Sequence, residues 1–159
     1  MERRDRLVQE YRHDPYFVRE KYPEPSVCKD CGVVFQDGIF EWMKHPPKDA
    51  GSITCPACLR IRENYEGGMV ILEGGFLQSH WEDIRNLLEN TADRETRERP
   101  LERILEWRNE DDGSVVIRTT YEHIARRMGE AVHKAYKGQL DLHYPGDEKY
   151  VRAHWSREQ

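Results

Sequence analysis

Short apolar runs broken by turn residues fill the first half of the chain. Residues 33–42 read Val-Val-Phe-Gln-Asp-Gly-Ile-Phe-Glu-Trp, so two runs lie on either side of Asp37-Gly38, a dipeptide that favours a hairpin turn. Residues 53–54 are Ile-Thr, and residues 69–72 are Met-Val-Ile-Leu with paired glycines on both sides. This pattern predicts four short strands before residue 76.

A helix is predicted after that point. Ser79-His-Trp-Glu82 has the sequence of a capping box, which marks the start of a helix. The charged run at 93–99 is expected to be a solvated end of this helix or a linker, stopped by Pro100. Its apolar positions recur three or four residues apart, as expected for a helix with one buried side: Trp81, Ile84, Leu87 and Leu88.

The last 60 residues combine both patterns. Residues 101–107 and 114–119 alternate like strands around Asp112-Gly113, a second hairpin signal. Residues 140–142 and 150–155 predict two further strands. With the helix described next, these segments predict a compact β-β-α-β-β unit.

The helix between those strand pairs has two chemically different faces. It is expected to start at the capping box Thr119-Thr-Tyr-Glu122 and to stop at Gly138. Apolar side chains share one face: Ile124, Ala125, Met128, Ala131, Val132 and Ala135. The other face is basic and carries Arg126, Arg127, Lys134 and Lys137 with His123 and His133. A basic helix face can be merely solvated or can bind phosphate.

Two cysteine pairs with the same spacing suggest a metal site. Cys28-Lys-Asp-Cys31 and Cys55-Pro-Ala-Cys58 are separated by 23 residues and use all four cysteines of the chain. A two-residue gap lets both sulfurs of a pair turn toward one point, so the two pairs can form a tetrahedral zinc site. Four thiolates leave no open position for water, so one structural Zn²⁺ is expected, and His45 is expected to be a surface residue.

Two other interpretations of the cysteines remain open from the residues alone. Disulfides would suit an oxidising compartment, but residues 1–20 contain no apolar segment of the kind found in signal peptides. A redox or iron–sulfur role would suit Cys55-Pro-Ala-Cys58, but the βαβ pattern usual around a redox C-x-x-C is missing. A cytoplasmic location follows as the expectation.

These features predict an α+β protein: an N-terminal four-cysteine zinc ribbon followed by a helix and a small β-β-α-β-β domain. The expected divisions are an extended arm at 1–24, the ribbon and following strand at 25–76, a helix and linker at 77–100, and the last domain at 101–159. The arm is expected either to be disordered or to order on a polar RNA-like partner through its arginines, among them Arg3, Arg4, Arg6 and Arg12.

Composition and motifs argue against several classes of function. The 159 residues contain 25 Lys and Arg against 30 Asp and Glu, a net charge of −5 that argues against a generic nucleic-acid coat protein. The longest apolar runs are too short to cross a membrane. His80, His123 and His143 could converge on a reaction, but no nucleophile–base pair or hydrolase motif accompanies them. Neither an enzyme nor a small-molecule substrate is predicted.

Several motifs resemble those of a known family. Cys28-Lys-Asp-Cys31-Gly32, Cys55-Pro-Ala-Cys58, Gly74-Gly-Phe-Leu-Gln-Ser-His80 and Thr119-Thr-Tyr-Glu-His-Ile-Ala-Arg-Arg-Met-Gly-Glu130 are similar to segments of small bacterial relatives of the large-ribosomal-subunit export adaptor of archaea and eukaryotes, which was named for nonsense-mediated decay. The resemblance spans most of the chain after residue 12. The adaptor has more than one four-cysteine cluster and carries export-signal tails that this chain lacks.

The resemblance implies ribosome association through RNA-binding modules. The leading hypothesis is a ribosome-associated, rRNA-binding factor in hibernation, stability or quality control, with contacts from Arg126, Arg127, Lys134, Lys137 and the arginines of the arm. The alternative is a zinc-ribbon adaptor between proteins in a transcription or toxin–antitoxin complex, since an acidic chain suits a basic protein partner.

Overall fold

The computed structural model describes Tyr16 and residues 22–146 and 149–159. Within these residues the chain forms four helices and nine strands in two sheets, which confirms the α+β class. The predicted arm at 1–24, with Arg3, Arg4, Arg6 and Arg12, lies largely outside the described residues. No described helix is long and apolar enough to cross a membrane.

A small sheet contains the first four strands. These are β1 (Ser26–Cys28), β2 (Val34–Gln36), β3 (Ile39–Glu41) and β4 (Gly51–Ile53), in the order β3-β2-β1-β4. β2 and β3 form the antiparallel hairpin expected around Asp37-Gly38, whereas β4 returns parallel to β1. This parallel return places the end of β4 beside the end of β1, so the residues that follow the two strands meet at one edge. Helix α1 (Pro56–Glu63) starts just beyond that edge.

A larger sheet contains the other five strands. They are β5 (Gly68–Glu73), β6 (Ile104–Asn109), β7 (Val115–Thr119), β8 (Gln139–His143) and β9 (Val151–Ser156), in the order β6-β7-β5-β9-β8. β5 is the central strand, antiparallel to β7 and parallel to β9. The sequence predicted that this strand belongs with the zinc ribbon at residues 25–76. Its alternate residues are fully buried under the helices, so burial places β5 at the middle of the second sheet.

Three helices cover one face of the larger sheet. After the short α2 (Gly75–Ser79), helix α3 (Trp81–Glu98) packs beside α4 (Glu122–Tyr136), and α4 contacts β5, β7, β8 and β9. Four of the six positions of the apolar stripe predicted on α4 face inward: Ile124, Ala125, Met128 and Val132 are buried with Val70, Ile117 and Trp155. The other two do not, since Ala131 is half-buried and Ala135 is exposed. The helix predicted after residue 76 continues through the charged run to Glu98, so that run is the helix end and not a linker.

The two predicted capping boxes are wrong. Ser79 belongs to α2, where its hydroxyl donates to the carbonyl of Gly75, and the N-cap of α3 is His80. The hydroxyl of Thr119 donates to the carbonyl of Tyr121, which is the N-cap of α4. Neither N-cap residue makes a side-chain hydrogen bond to its helix among the described contacts.

Glu102 caps α4 from outside the helix. One oxygen of its carboxylate accepts a hydrogen bond from the backbone N–H of Ile124 at 2.9 Å, the bond that an N-cap side chain normally makes. Burial raises the pKa of Glu102 to about 7. The folded protein therefore holds the Glu102 proton at pH values where the unfolded chain has lost it.

Stability is expected to fall as pH rises through the range between the ordinary glutamate pKa and about 7. The unfolded state then binds fewer protons than the folded state, and the shift corresponds to about 3 kcal/mol at most. Glu102→Gln keeps the acceptor and removes the titration, so it should stabilise the protein at pH 8 more than at pH 6. Urea unfolding of both proteins at the two pH values measures the difference. An equal effect at both pH values would contradict the assignment.

Candidate metal centre

Four sulfurs lie together between the small sheet and α1. The Sγ atoms of Cys28, Cys31, Cys55 and Cys58 all lie within 4.8 Å of one another, and the four cysteines together could hold a metal ion. The Cys28–Cys58 and Cys31–Cys55 sulfur pairs are each 3.8 Å apart. A tetrahedron with metal–sulfur bonds of about 2.3 Å has edges of about 3.8 Å, so the donor set fits a metal of that size.

The cysteines are not joined to one another. All four lie in the described part of the chain and are free thiols. A separation of 3.8 Å is far longer than the roughly 2.05 Å of a sulfur–sulfur bond. The two-disulfide alternative is therefore not the state of this structure.

Local backbone geometry explains how each pair turns its sulfurs inward. Cys28 ends β1, and a tight turn follows in which Gly32 has a φ of +86° and donates its N–H to the carbonyl of Cys28 at 2.9 Å. Cys55 is the N-cap of α1, and Pro56 occupies the first turn of that helix. A glycine turn thus directs the sulfurs of Cys28 and Cys31 inward, and a helix start does the same for Cys55 and Cys58.

Backbone N–H groups also point at the sulfurs. The N–H of Cys55 donates to the sulfur of Cys28 at 3.3 Å, and the N–H of Cys58 donates to the sulfur of Cys55 at 3.4 Å. Such bonds favour the thiolate form that a metal requires. Cys28 and Cys55 are buried in the small apolar core, and Cys31 and Cys58 are half-buried.

Arg103 covers the sulfur cluster from the second half of the chain. Its guanidinium donates to the sulfurs of Cys31 at 3.0 Å, Cys58 at 3.4 Å and Cys55 at 3.7 Å. The guanidinium is held in place by the carbonyl of Pro100, 2.8 Å from Nε, and by the ring of Trp42, whose centroid is 5.4 Å away. Four thiolates around a divalent metal would carry a net charge of −2, which this cation would partly offset.

Arg103 was not predicted from the sequence as part of this site. It lies 45 residues after the last cysteine, in a segment that the pattern assigned to a strand, and a lone arginine there carries no recognisable signal. Only the docking of the two sheets brings it to the sulfurs.

Proton affinities differ among the thiols. The hydrogen bond with Cys55 is the main cause that lowers the pKa of Cys31 to about 4, burial opposes it, and the contact with Arg103 acts in the same direction as Cys55. Burial raises the pKa of Cys58 to about 11. Cys31 therefore forms a thiolate more readily than Cys58.

A second arginine joins α1 to the larger sheet. Arg60 is buried, and its guanidinium lies 4.1 Å from the ring centroid of Tyr121 and donates to the carbonyl of Thr120 at 2.9 Å. Thr120 also accepts a hydrogen bond at its hydroxyl from the backbone N–H of Arg103 at 2.8 Å. The backbone around Thr120 thus contacts both arginines that link the metal centre to the rest of the protein.

The basic residues predicted on α4 have unequal surroundings. Arg126 lies between Glu122, at 3.9 Å, and Glu130, at 3.7 Å. Arg127 pairs with Glu95 of α3 at 3.4 Å. Lys134 and Lys137 are exposed. Nearby carboxylates therefore offset the two arginines, which the sequence pattern alone could not show.

Four other histidines lie at different places in the fold. His45 is exposed and outside the sulfur cluster. His80 stacks on Phe76 with ring centroids 3.8 Å apart, His123 contacts Glu95 at 2.9 Å, and His143 lies on β8.

Comparison with known proteins adds no relative. No protein-family model, curated protein or solved structure matches the chain. The resemblance to the ribosomal export adaptor therefore stays a prediction.

Proposed function

We propose that the metal is a single Zn²⁺ with a structural role. The support is the donor set: four cysteine sulfurs within 4.8 Å of one another, arranged around one point. Thiolate ligands select soft or borderline ions, and a complete tetrahedron of sulfur is the arrangement typical of structural zinc. With four protein ligands and Arg103 over the sulfurs, the ion has no position at which a substrate could bind. We therefore propose a binding protein and not an enzyme.

We further propose that the protein binds the ribosome through ribosomal RNA. The observation that carries this proposal is a groove between α3 and α4 flanked by Arg94, Arg127 and Lys134. Cations from two helices converge there in a chain whose net charge is −5, and local cation density is what attracts a phosphate backbone. Arg94 was not among the residues named from the sequence, because only the packing of α3 beside α4 brings it to the α4 face.

The residues proposed from the structure to contact RNA differ from those predicted from the sequence. Arg126 is neutralised by two glutamates of its own helix and is the weaker candidate. Arg94 and Lys134 are exposed and should contribute most. The proposed partner remains the ribosome, and hibernation, subunit stability and quality control remain the proposed kinds of role.

The double variant Arg94→Glu with Lys134→Glu is expected to abolish most ribosome binding. Each neutralised phosphate contributes about 0.7–0.9 to the slope of log affinity against log salt, so losing two contacts should lower the slope by about 1.5. The measurement is co-sedimentation with ribosomes on sucrose gradients, followed by a pelleting titration at two salt concentrations. Both positions are exposed, so circular dichroism should show an unchanged fold.

Arg85→Glu with Arg97→Glu is the matched control. Both residues are exposed on α3 but do not line the groove, and the charge change is the same. Equal weakening by the two double variants would mean that overall charge matters and the groove does not. Absence of the wild-type protein from every ribosomal fraction would remove the proposal itself.

One observation favours the second candidate, a protein–protein adaptor. Large apolar side chains are exposed on the ribbon side of the protein: Ile39 at 56%, Ile61 at 41%, and Trp42 and Tyr65 at 39% each. Exposed apolar groups of this kind mark protein-binding surfaces when they lie close together. An adaptor would lose its partner on Ile39→Ser with Ile61→Ser and would show little salt dependence.

A further inference from the structure

We propose that the groove between α3 and α4 is a phosphate-binding site in which Thr91, Arg94 and Lys134 hold one phosphate group. The identification of the phosphate as part of an RNA backbone rests on the proposed function. The phosphate site itself is argued from the groove alone, and a titration with phosphate and with RNA tests the site and its RNA ligand separately.

The groove has the size and shape of a ligand site. It encloses about 640 Å³ between two helices. Leu87 of α3 and the small side chains Ala131 and Ala135 of α4 form its apolar part. Because alanine fills little of the space between neighbouring helices, these two positions leave the gap open.

Thr91 supplies a hydrogen-bonding group that the described residues leave unused. Thr91 lines the groove and is 4% exposed, and its hydroxyl, which is closed off from solvent, has no hydrogen-bond partner within the described part of the chain. A threonine within a helix commonly donates to the carbonyl four residues earlier, but here that bond is absent from the described contacts. A buried hydroxyl without a partner destabilises a protein, so its presence at a groove indicates a ligand that completes it.

The groove is lined by three basic and two acidic side chains. Glu95, 2% exposed, accepts from His123 at 2.9 Å and from Arg127 at 3.4 Å, and Glu130 lies 3.9 Å from Arg127. The two carboxylates are therefore both engaged with Arg127. Arg94 and Lys134 have no carboxylate within ion-pair distance among the residues that the structure describes.

These groups together match a phosphate. A guanidinium, an ammonium and a hydroxyl are all hydrogen-bond donors, and the several oxygens of a tetrahedral phosphate can accept from all three. With three cations against two carboxylates, the groove keeps one positive charge in excess for an anion. Arg127 is held by the buried Glu95 and forms one wall of the groove. It does not have to move when phosphate binds.

Two threonine substitutions on the same helix test the proposal. Thr91→Val removes the unpartnered hydroxyl without changing the side-chain shape. We expect phosphate affinity to fall by about tenfold, the value of one charge-assisted hydrogen bond, and the melting temperature of the ligand-free protein to rise. Thr96→Val is the control: the Thr96 hydroxyl donates to the carbonyl of Glu102 at 2.6 Å, so this change should lower the melting temperature and leave phosphate affinity unchanged.

Binding is measured by amide NMR titration of the zinc-loaded full chain with inorganic phosphate and, separately, with a uridine octanucleotide. Amide shifts at Thr91, Arg94 and Lys134 with both ligands would support the site and its RNA source. Shifts with phosphate alone, and no ribosome co-sedimentation, would leave the phosphate site standing and remove the RNA proposal. If phosphate shifts no groove residue, or if Thr91→Val binds phosphate as tightly as the wild type, the site is wrong. Should Thr91→Val fail to fold, Arg94→Gln gives the same binding test from an exposed position.

Discussion

Cys55→Ser is expected to abolish tight metal binding and to unfold the small sheet and α1, residues 26–63. Cys55 is fully buried, is the N-cap of α1 and supplies one of the four clustered sulfurs, so its loss removes a ligand and a helix start together. The binding of a structural metal by four thiolates supplies about 10–16 kcal/mol to folding, and the small apolar core around the cysteines could not replace it. Chelation of the wild-type protein should have the same effect.

Elemental analysis and limited proteolysis measure these two losses. Wild-type protein should contain one zinc per chain, and the variant should contain none and be cleaved within residues 26–63. His45→Ala is the matched control, because this histidine is exposed and outside the cluster, and it should keep both metal and protection. Purified wild-type protein without zinc, carrying two disulfides by mass spectrometry, would contradict the site.

Arg103→Leu is expected to weaken metal binding by about 10- to 100-fold, the usual cost of losing a group that hydrogen-bonds to metal ligands and equivalent to about 1.4–2.8 kcal/mol. The guanidinium contacts three of the four sulfurs, and without it the negative charge of the metal–thiolate centre is buried with no cation beside it. The same change should loosen the contact between the ribbon and the larger sheet, because Arg103 joins them.

A competition titration against a chromogenic chelator gives the metal affinity of each variant. Arg103→Lys restores the charge but not the planar fork, so its affinity should lie between those of the wild type and Arg103→Leu. Arg99→Leu removes an exposed arginine four positions earlier and should change nothing. If Arg103→Leu binds metal as tightly as the wild type, the hydrogen bonds to sulfur contribute nothing to affinity.

The sequence by itself determined the parts of this protein that depend on neighbouring residues. The spacing within Cys28–Cys31 and Cys55–Cys58 was enough to predict that the four sulfurs converge, because a two-residue gap fixes the direction of both side chains. Asp37-Gly38 gave a hairpin because that dipeptide accepts the positive φ of the turn. The apolar stripe of α4 was likewise visible, since helical spacing repeats within a few residues.

Only the tertiary structure decided the features that join distant segments. β5 follows the ribbon in the chain but pairs with β7 and β9, because its two-sided pairing buries its apolar residues at the centre of a sheet. The predicted cap of α4 failed because the hydroxyl of Thr119 bonds to the carbonyl of Tyr121, and Glu102, twenty residues before the start of the helix, accepts from its first turn instead. Arg103 contacts the sulfurs, and Arg94 lines the same groove as Lys134, for the same reason. Burial of apolar surface packs whole helices and strands together, and that packing decides which polar groups come near one another. The pattern of residues next to each of them in the chain does not.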